Sequence, residues 1–296
     1  MKAWLSLCAA LLLALPLWAQ PSGKVRVVLI DGQNNHNWRA TTPVMKDYLE
    51  STGRFTVDVS SNVKEGDAKG GHPFKTVPFP PDLSKYDVIV SNYNGAKWPE
   101  EFNKAFDGAV KSGKIGLVIV HAANNAFGGW KEYDLMIGMG WRGATYGARL
   151  KLDDEGKEIR VKAGEDQGAG HRYTGPFSIV VRNGEHPVTK GMPKEWQHAR
   201  DELYDNMRGP IENINLLATA YSKGTKAHEP MIWTVAYGQG RVFHTPMGHD
   251  ANAMNCIGFL VTLGRGTEWA ATGNVTLPIP QNFPTAEKVS TQPEKK

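Results

Sequence analysis

The stretch Ile115 to Val120, IGLVIV, lies between Gly113 and a polar stop at His121. It is too short for a buried helix or a membrane span. Its β-branched content suits a strand covered on both faces, as in the interior of a parallel sheet. Two more runs share this character: KVRVVLID at Lys24 to Asp31, and Tyr86 to Val90. Each gives way to a polar loop, namely Asp31-Gly32-Gln33-Asn34-Asn35-His36-Asn37-Trp38, Ser91-Asn92-Tyr93-Asn94-Gly95, and His121-Ala122-Ala123-Asn124-Asn125. Helical signals lie between the runs. Thr42-Pro43 reads as an N-cap and first turn, with Val44, Tyr48 and Leu49 behind it and Gly53 as a stop. Phe55 to Val59 alternates as a strand. Pro99 opens a second helix with Phe102, Phe106 and Ala109/Val110 at helical spacing. Glycines and prolines in residues 61 to 82 break any regular element. A doubly wound α/β layer is the economical arrangement, and such sheets bind ligands beyond the carboxyl ends of their strands.

The rest of the chain adds β structure and one helix. Leu150 to Val161 reads as a charged hairpin, Phe177 to Val181 and Leu216 to Tyr221 as strands, and Met231 to Tyr237 with Arg241 to Thr245 as a hairpin across Gly238-Gln239-Gly240. A helix is expected from Ala251 to Trp269, with Met254, Ile257 and Val261 on one stripe. Residues 24–272 form one domain in this reading. Residues 273–296, proline-rich and then charged, read as a disordered tail. Lys2, the apolar run Ala3 to Leu17, and Ala19 before a cleavage point read as a signal peptide over residues 1–19, so export to the periplasm or the medium is expected. Cys256 is then the one remaining cysteine of the two, placed in an apolar helical pattern that suits a buried, inert thiol. The net charge of +4 is interspersed, without the basic stripe that a nucleic-acid partner would need. No second apolar run supports membrane insertion after cleavage.

GLVIVHAA with Phe127 and Trp130, then GEHPVTKGMP, DELY, and EPMIWTVAYGQGRVFHTPMGHD closing into a helix, resemble in that order the ThuA-like (trehalose-utilisation) family over about residues 24 to 272. The resemblance implies a flavodoxin-like three-layer α/β sandwich with a mainly parallel central sheet, similar to class I glutamine amidotransferases, with β insertions. Amidotransfer itself is excluded. It needs a nucleophilic cysteine at the strand-to-helix elbow, and His121-Ala122-Ala123 stands there. The family pattern often carries a histidine in the glycine-rich stretch after the central strand, where this chain has Gly140-Trp141-Arg142-Gly143.

If the carboxyl-edge loops converge, His121, Glu202 and His249 are the candidate catalytic acid–base groups, since a neutral imidazole takes or gives a proton near pH 7. Asp31, Gln33, His36, Asn92, Asn124 and Trp130 are candidate substrate-binding residues. Forked polar side chains match sugar hydroxyls, and Trp38, Trp98, Trp130 and Trp141 offer apolar faces. A small-molecule carbohydrate is the expected partner, and the family's link to trehalose points the same way. His121, Glu202 and His249 would also suffice for an open zinc site. No close-spaced pair such as HExxH supports it, so no metal ligand is assigned and the cofactor stays open. His72 and His228 read as surface residues, and His186-Pro187 as a turn. Three readings remain: an enzyme acting on a sugar or glycoside, a sugar-binding module without catalysis, and an interaction domain without a small-molecule site.

Overall fold

The computed structural model describes residues 23–64 and 71–293. The expected signal peptide lies outside the described residues. The elements are β1 (Val25–Asp31), α1 (Trp38–Ser51), β2 (Phe55–Ser61), β3 (Val88–Ser91), α2 (Glu100–Lys111), β4 (Gly116–Val120), α3 (Lys131–Ile137), β5 (Arg149–Leu152), β6 (Glu158–Val161), β7 (Gly170–Val181), β8 (Glu195–Asp205), β9 (Ile214–Ser222), β10 (Ala227–Tyr237), β11 (Gly240–Thr245), α4 (Ala251–Met254) and α5 (Ile257–Thr272). The strands form one mixed sheet in the order β2-β1-β3-β4-β11-β10-β9-β7-β8, with the β5–β6 hairpin attached to β10.

The apolar runs are continuous because both of their faces are covered. Along β1, Val27 and Leu29 pack with Met45 and Leu49 of α1 and with Phe259 and Leu263 of α5. Val28 and Ile30 face the other core, with Phe102 and Phe106 of α2 and Tyr133 of α3. β4 divides in the same way, Val118 and Val120 on one side and Leu117 and Ile119 on the other. β2, β1, β3, β4 and β11 run parallel. From β11 onward every neighbour is antiparallel. The sheet is therefore mixed rather than mainly parallel, because the β-rich second half joins the same sheet instead of inserting beside it.

Several boundaries differ from the sequence reading. Helix α1 starts at Trp38, capped by the Asn37 side chain on the Ala40 amide. Thr42 is not a cap: it lies inside the helix and donates its hydroxyl hydrogen to Asp31 Oδ2 at 2.7 Å. The expected helix from Ala251 to Trp269 is divided at Asn255-Cys256, where the chain's last segment takes the backbone groups. Ile257 donates its amide to Ser290 and Gln292 donates to Asn255, and Cys256 forms an isolated bridge with Thr291. The expectation of disorder beyond Gly273 therefore fails for residues 273–293. Val275, Leu277 and Ile279 pack on the core, and the Phe283 ring meets Trp196 of β8 at 5.4 Å between centroids. Spaced apolar residues among the prolines fasten this segment without regular structure.

Phe283 is nearly buried. Phe283→Ala is expected to lower the unfolding free energy by about 3 kcal/mol, the usual cost of removing a buried aromatic ring. Urea denaturation measures it, and a change below about 1 kcal/mol would show that the segment is not fastened through this ring.

Candidate functional site

His121 ends β4 with a left-handed backbone, φ +45°. That conformation costs a residue with a Cβ roughly 1–3 kcal/mol and marks a position that the surrounding structure enforces. It turns the imidazole across the carboxyl edge, where Nδ1 donates to the Pro246 carbonyl at 2.6 Å. A carbonyl only accepts, so Nδ1 carries the proton and Nε2 presents a lone pair. His36 arrives from the loop after β1. Its Nδ1 lies 3.2 Å from Asn34 Oδ1, an orientation consistent with Asn34 Nδ2 donating to the Asn92 carbonyl at 3.1 Å. His36 Nε2 therefore also presents a lone pair, and the two Nε2 atoms face each other at 3.4 Å.

Glu202 of β8 completes the group. Its Oε2 lies 3.1 Å from His249 Nδ1, 3.8 Å from His121 Nε2 and 3.9 Å from His36 Nε2. The four ligand atoms of His36, His121, Glu202 and His249 all fall within 4.8 Å of one another. The other oxygen, Oε1, lies 3.5 Å from Nε2 of His171, a half-exposed residue at the rim. Burial is the main cause of the low pKa values of His36, about 4, and His121, about 3. The charge on Asp201 offsets part of the shift in each, while His249 adds to it. Both rings are neutral at pH 7, so the cluster gathers lone pairs rather than cations.

Asp201 holds the arrangement from behind. Neighbouring strand residues point to opposite faces, so Asp201 turns inward where Glu202 turns to the site. It is buried and accepts from the amides of Glu202 (2.8 Å), Gly248 (2.6 Å) and His249 (3.0 Å). His198 Nε2 adds a fourth bond at 2.8 Å. One carboxylate thus fixes the backbone of two members of the cluster. Gly248 is required in that turn: φ is +103°, and a Cβ there would come within 2.9 Å of Phe259.

Comparison with known proteins now decides the family. The ThuA family, described as trehalose utilisation, matches residues 26–270. The chain belongs to the ThuA family. A ThuA-like protein of Parabacteroides merdae is 41% identical, with a TM-score of 0.82, covering 91% of this chain and 98% of its own. A ThuA-like protein of Bacteroides uniformis is 15% identical, with a TM-score of 0.56 over 88% of this chain and 98% of its own, and shows the fold alone. The glutaminase domain of Trypanosoma brucei CTPS is 8% identical, with a TM-score of 0.45 over 88% of this chain and 98% of its own. Comparison with curated proteins gives no match. Cys256, the one cysteine among the described residues, is buried.

Of the residues selected from sequence, His36, His121, Glu202 and His249 come together and the other five do not join them. Asp31 is fully buried, its oxygens taken by Thr42 (2.7 Å), Ser61 (2.6 Å) and His72 (2.6 Å). It ties strand, helix and loop. His72, read as a surface residue, has a buried side chain for the same reason. Asn92 is buried and donates to Thr41 (3.0 Å) and Thr42 (3.1 Å). Asn124 is buried between His244 and the Trp141 amide. Both join elements of the scaffold. Gln33 takes the Ala96 amide at 3.0 Å and lines a cavity of about 420 Å³ with Asn34, Asn35, Trp38 and Asn94. Trp130 lines a separate cavity of about 450 Å³ with Phe127, Lys97 and Lys104. That cavity shares no lining residue with the histidine cluster. Sequence reasoning passed over Asp201, His198 and Tyr204. All lie on β8, which was not recognised as a strand because charged residues interrupt its alternation.

The His198–Asp201 pair makes stability depend on pH. Burial alone would lower the His198 pKa, but the Asp201 hydrogen bond, helped by the Cys256 thiol, raises it to about 9. Its unfolded value is about 6.5. A folded pKa above the unfolded one gives stability that is complete below pH about 6.5 and fades as pH rises through about 9. Urea midpoints are therefore expected to fall across that window. The fall should be shallower in His198→Gln, which keeps a donor but does not titrate. Parallel profiles for the two proteins would reject the pair as the cause.

Proposed function

We propose that His36, His121, Glu202 and His249 hold one divalent cation, zinc by preference, and that the protein uses it on a carbohydrate. The observation that carries this reading is the meeting of three imidazole nitrogens and one carboxylate oxygen within 4.8 Å, with two unprotonated Nε2 atoms at 3.4 Å. Neutral lone pairs at that distance repel unless an electrophile lies between them. In a tetrahedral zinc site with bonds of 2.0–2.1 Å, ligand atoms sit about 3.3 Å apart. The contacts of 3.1, 3.4, 3.8 and 3.9 Å approach that spacing. The donor set of histidine and carboxylate is the one zinc takes. The second bonds to Asn34 and Pro246 orient His36 and His121 as outer partners do in metal sites.

The same residues selected as acid–base groups are thus read as ligands. A bound cation would supply Lewis-acid polarisation of a sugar oxygen. The chain supplies the rest: Asp201 fixes Glu202 and His249, Asn34 and Asn92 fix the His36 loop, and Trp141 lies at the rim with its ring 5.7 Å from that of His171. The carbohydrate is supported by the family description, trehalose utilisation, by Trp141, and by the Asn-lined cavity beside the His36 loop. A sugar-binding module without turnover is the second reading, favoured by that same cavity. Export is part of the proposal, supported by Lys2 and the apolar run that follows it. So is a flavodoxin-like three-layer arrangement, supported by the helices on both faces of the parallel strands.

Isothermal titration with zinc is expected to give one site per chain, with affinity lowered about 100-fold or more in His121→Ala and in Glu202→Gln. That exceeds the 10–100-fold typical of outer-partner changes. Absence of zinc binding by the wild type overturns the cation. The loaded protein is then incubated with a panel of disaccharides and glycosides and analysed by mass spectrometry. A new product supports turnover. A sugar recovered unaltered that raises the melting temperature supports the binding module.

A further inference from the structure

We infer that Tyr204 is the ligand-facing residue of this site, giving its hydroxyl hydrogen to the oxygen that an incoming molecule sets beside His121. The inference rests on the cation reading above. Tyr204 lies two residues beyond Glu202 on β8, so both side chains leave the same face of the strand. Its hydroxyl sits 3.0 Å from His121 Nε2, and the rings pack at 4.4 Å between centroids. The direction of that bond is fixed. His121 Nδ1 is the protonated nitrogen because it meets the Pro246 carbonyl at 2.6 Å, so Nε2 has nothing to give and the phenol must donate.

An imidazole nitrogen has one in-plane lone pair. A cation on Nε2 takes the electrons that Tyr204 now uses, and the two cannot share them. The phenolic ring cannot withdraw, because Tyr204 is buried and Trp141 packs edge-on against it at 4.7 Å. Only the hydrogen can turn. A buried hydroxyl left without an acceptor is costly, because it loses the bond it made to water in the unfolded chain. The displaced hydrogen therefore calls for another acceptor within its own reach: an oxygen of Glu202 or Asn125, which lie beside it, or one that arrives with the ligand. An oxygen ligand offers such an acceptor. A nitrogen ligand whose lone pair goes to the cation does not. Tyr204 would thus select oxygen donors, the class to which sugar hydroxyls belong.

The test uses the full chain loaded with cobalt(II), whose visible absorption reports added ligands. Acetate is the oxygen probe and imidazole the nitrogen probe. Tyr204→Phe is expected to weaken acetate binding about fivefold, one net hydrogen bond, and to change imidazole binding less than twofold. A purely structural role would move both probes together. Equal effects on both, or none on acetate, overturn the inference. Loss of cobalt affinity by more than about 30-fold also overturns it, because Tyr204 would then be a ligand itself. A wild type that binds no cobalt fails the cation reading, a result distinct from cobalt binding with indifference to acetate. Should Tyr204→Phe not fold, the wild type still decides. The Tyr204 13Cζ resonance of the zinc-loaded protein should move with acetate and stay with imidazole, and a resonance that ignores acetate overturns the inference.

Discussion

The site depends on one buried carboxylate. Asp201 lies on β8, the last strand of the sheet, four places from β11 in the strand order. Yet it accepts the amides of Gly248 and His249 in the turn that follows β11. The antiparallel half must curl back over the carboxyl edge of the parallel half for those bonds to form. An ionised group taken out of water is tolerated only when its oxygens are fully hydrogen-bonded. Three amides and the His198 ring meet that requirement.

From this closure comes a division of labour. The parallel half delivers His36 and His121 from the ends of β1 and β4, which are packed on both faces and hold their tips firmly. The antiparallel half delivers Glu202, and the junction delivers His249. Several polar side chains of the carboxyl-edge loops brace the scaffold. Asn92 and Asp31 join loop, helix and strand, and Asn124 joins the His121 turn to His244 and Trp141. The titratable groups of His36, His121, Glu202 and His249 cluster more tightly than the polar composition of the loops suggests.

Much of the parallel half was legible in the sequence, because continuous β-branched runs admit few other structures. His121 was legible for the same reason: it stands where such a run stops. The antiparallel half was less so. In β8 the residues Glu195, Arg200 and Glu202 break the apolar pattern, and register shifts within the β7–β8 pair disturb the alternation. The two-residue periodicity that would have separated Asp201 from Glu202 was thereby hidden. Asp31 shows a different limit. A carboxylate at a strand end has the same sequence signature whether it meets a ligand or a threonine hydroxyl, and only the fold says which. The final segment shows a third: prolines and charges imply weak local structure, but Phe283 needs only a complementary surface, and Trp196 supplies it.

That final segment has a consequence for how the molecule comes into being. Translation and any passage through a membrane proceed amino end first. His36, His121, Glu202 and His249 are therefore all synthesised before the stretch that covers Trp196 and takes the Ile257 amide. A partly made chain has its chemical groups but lacks the clasp over β8. Residues 273–293 therefore add their clasp over β8 only after the cluster's own residues have been made.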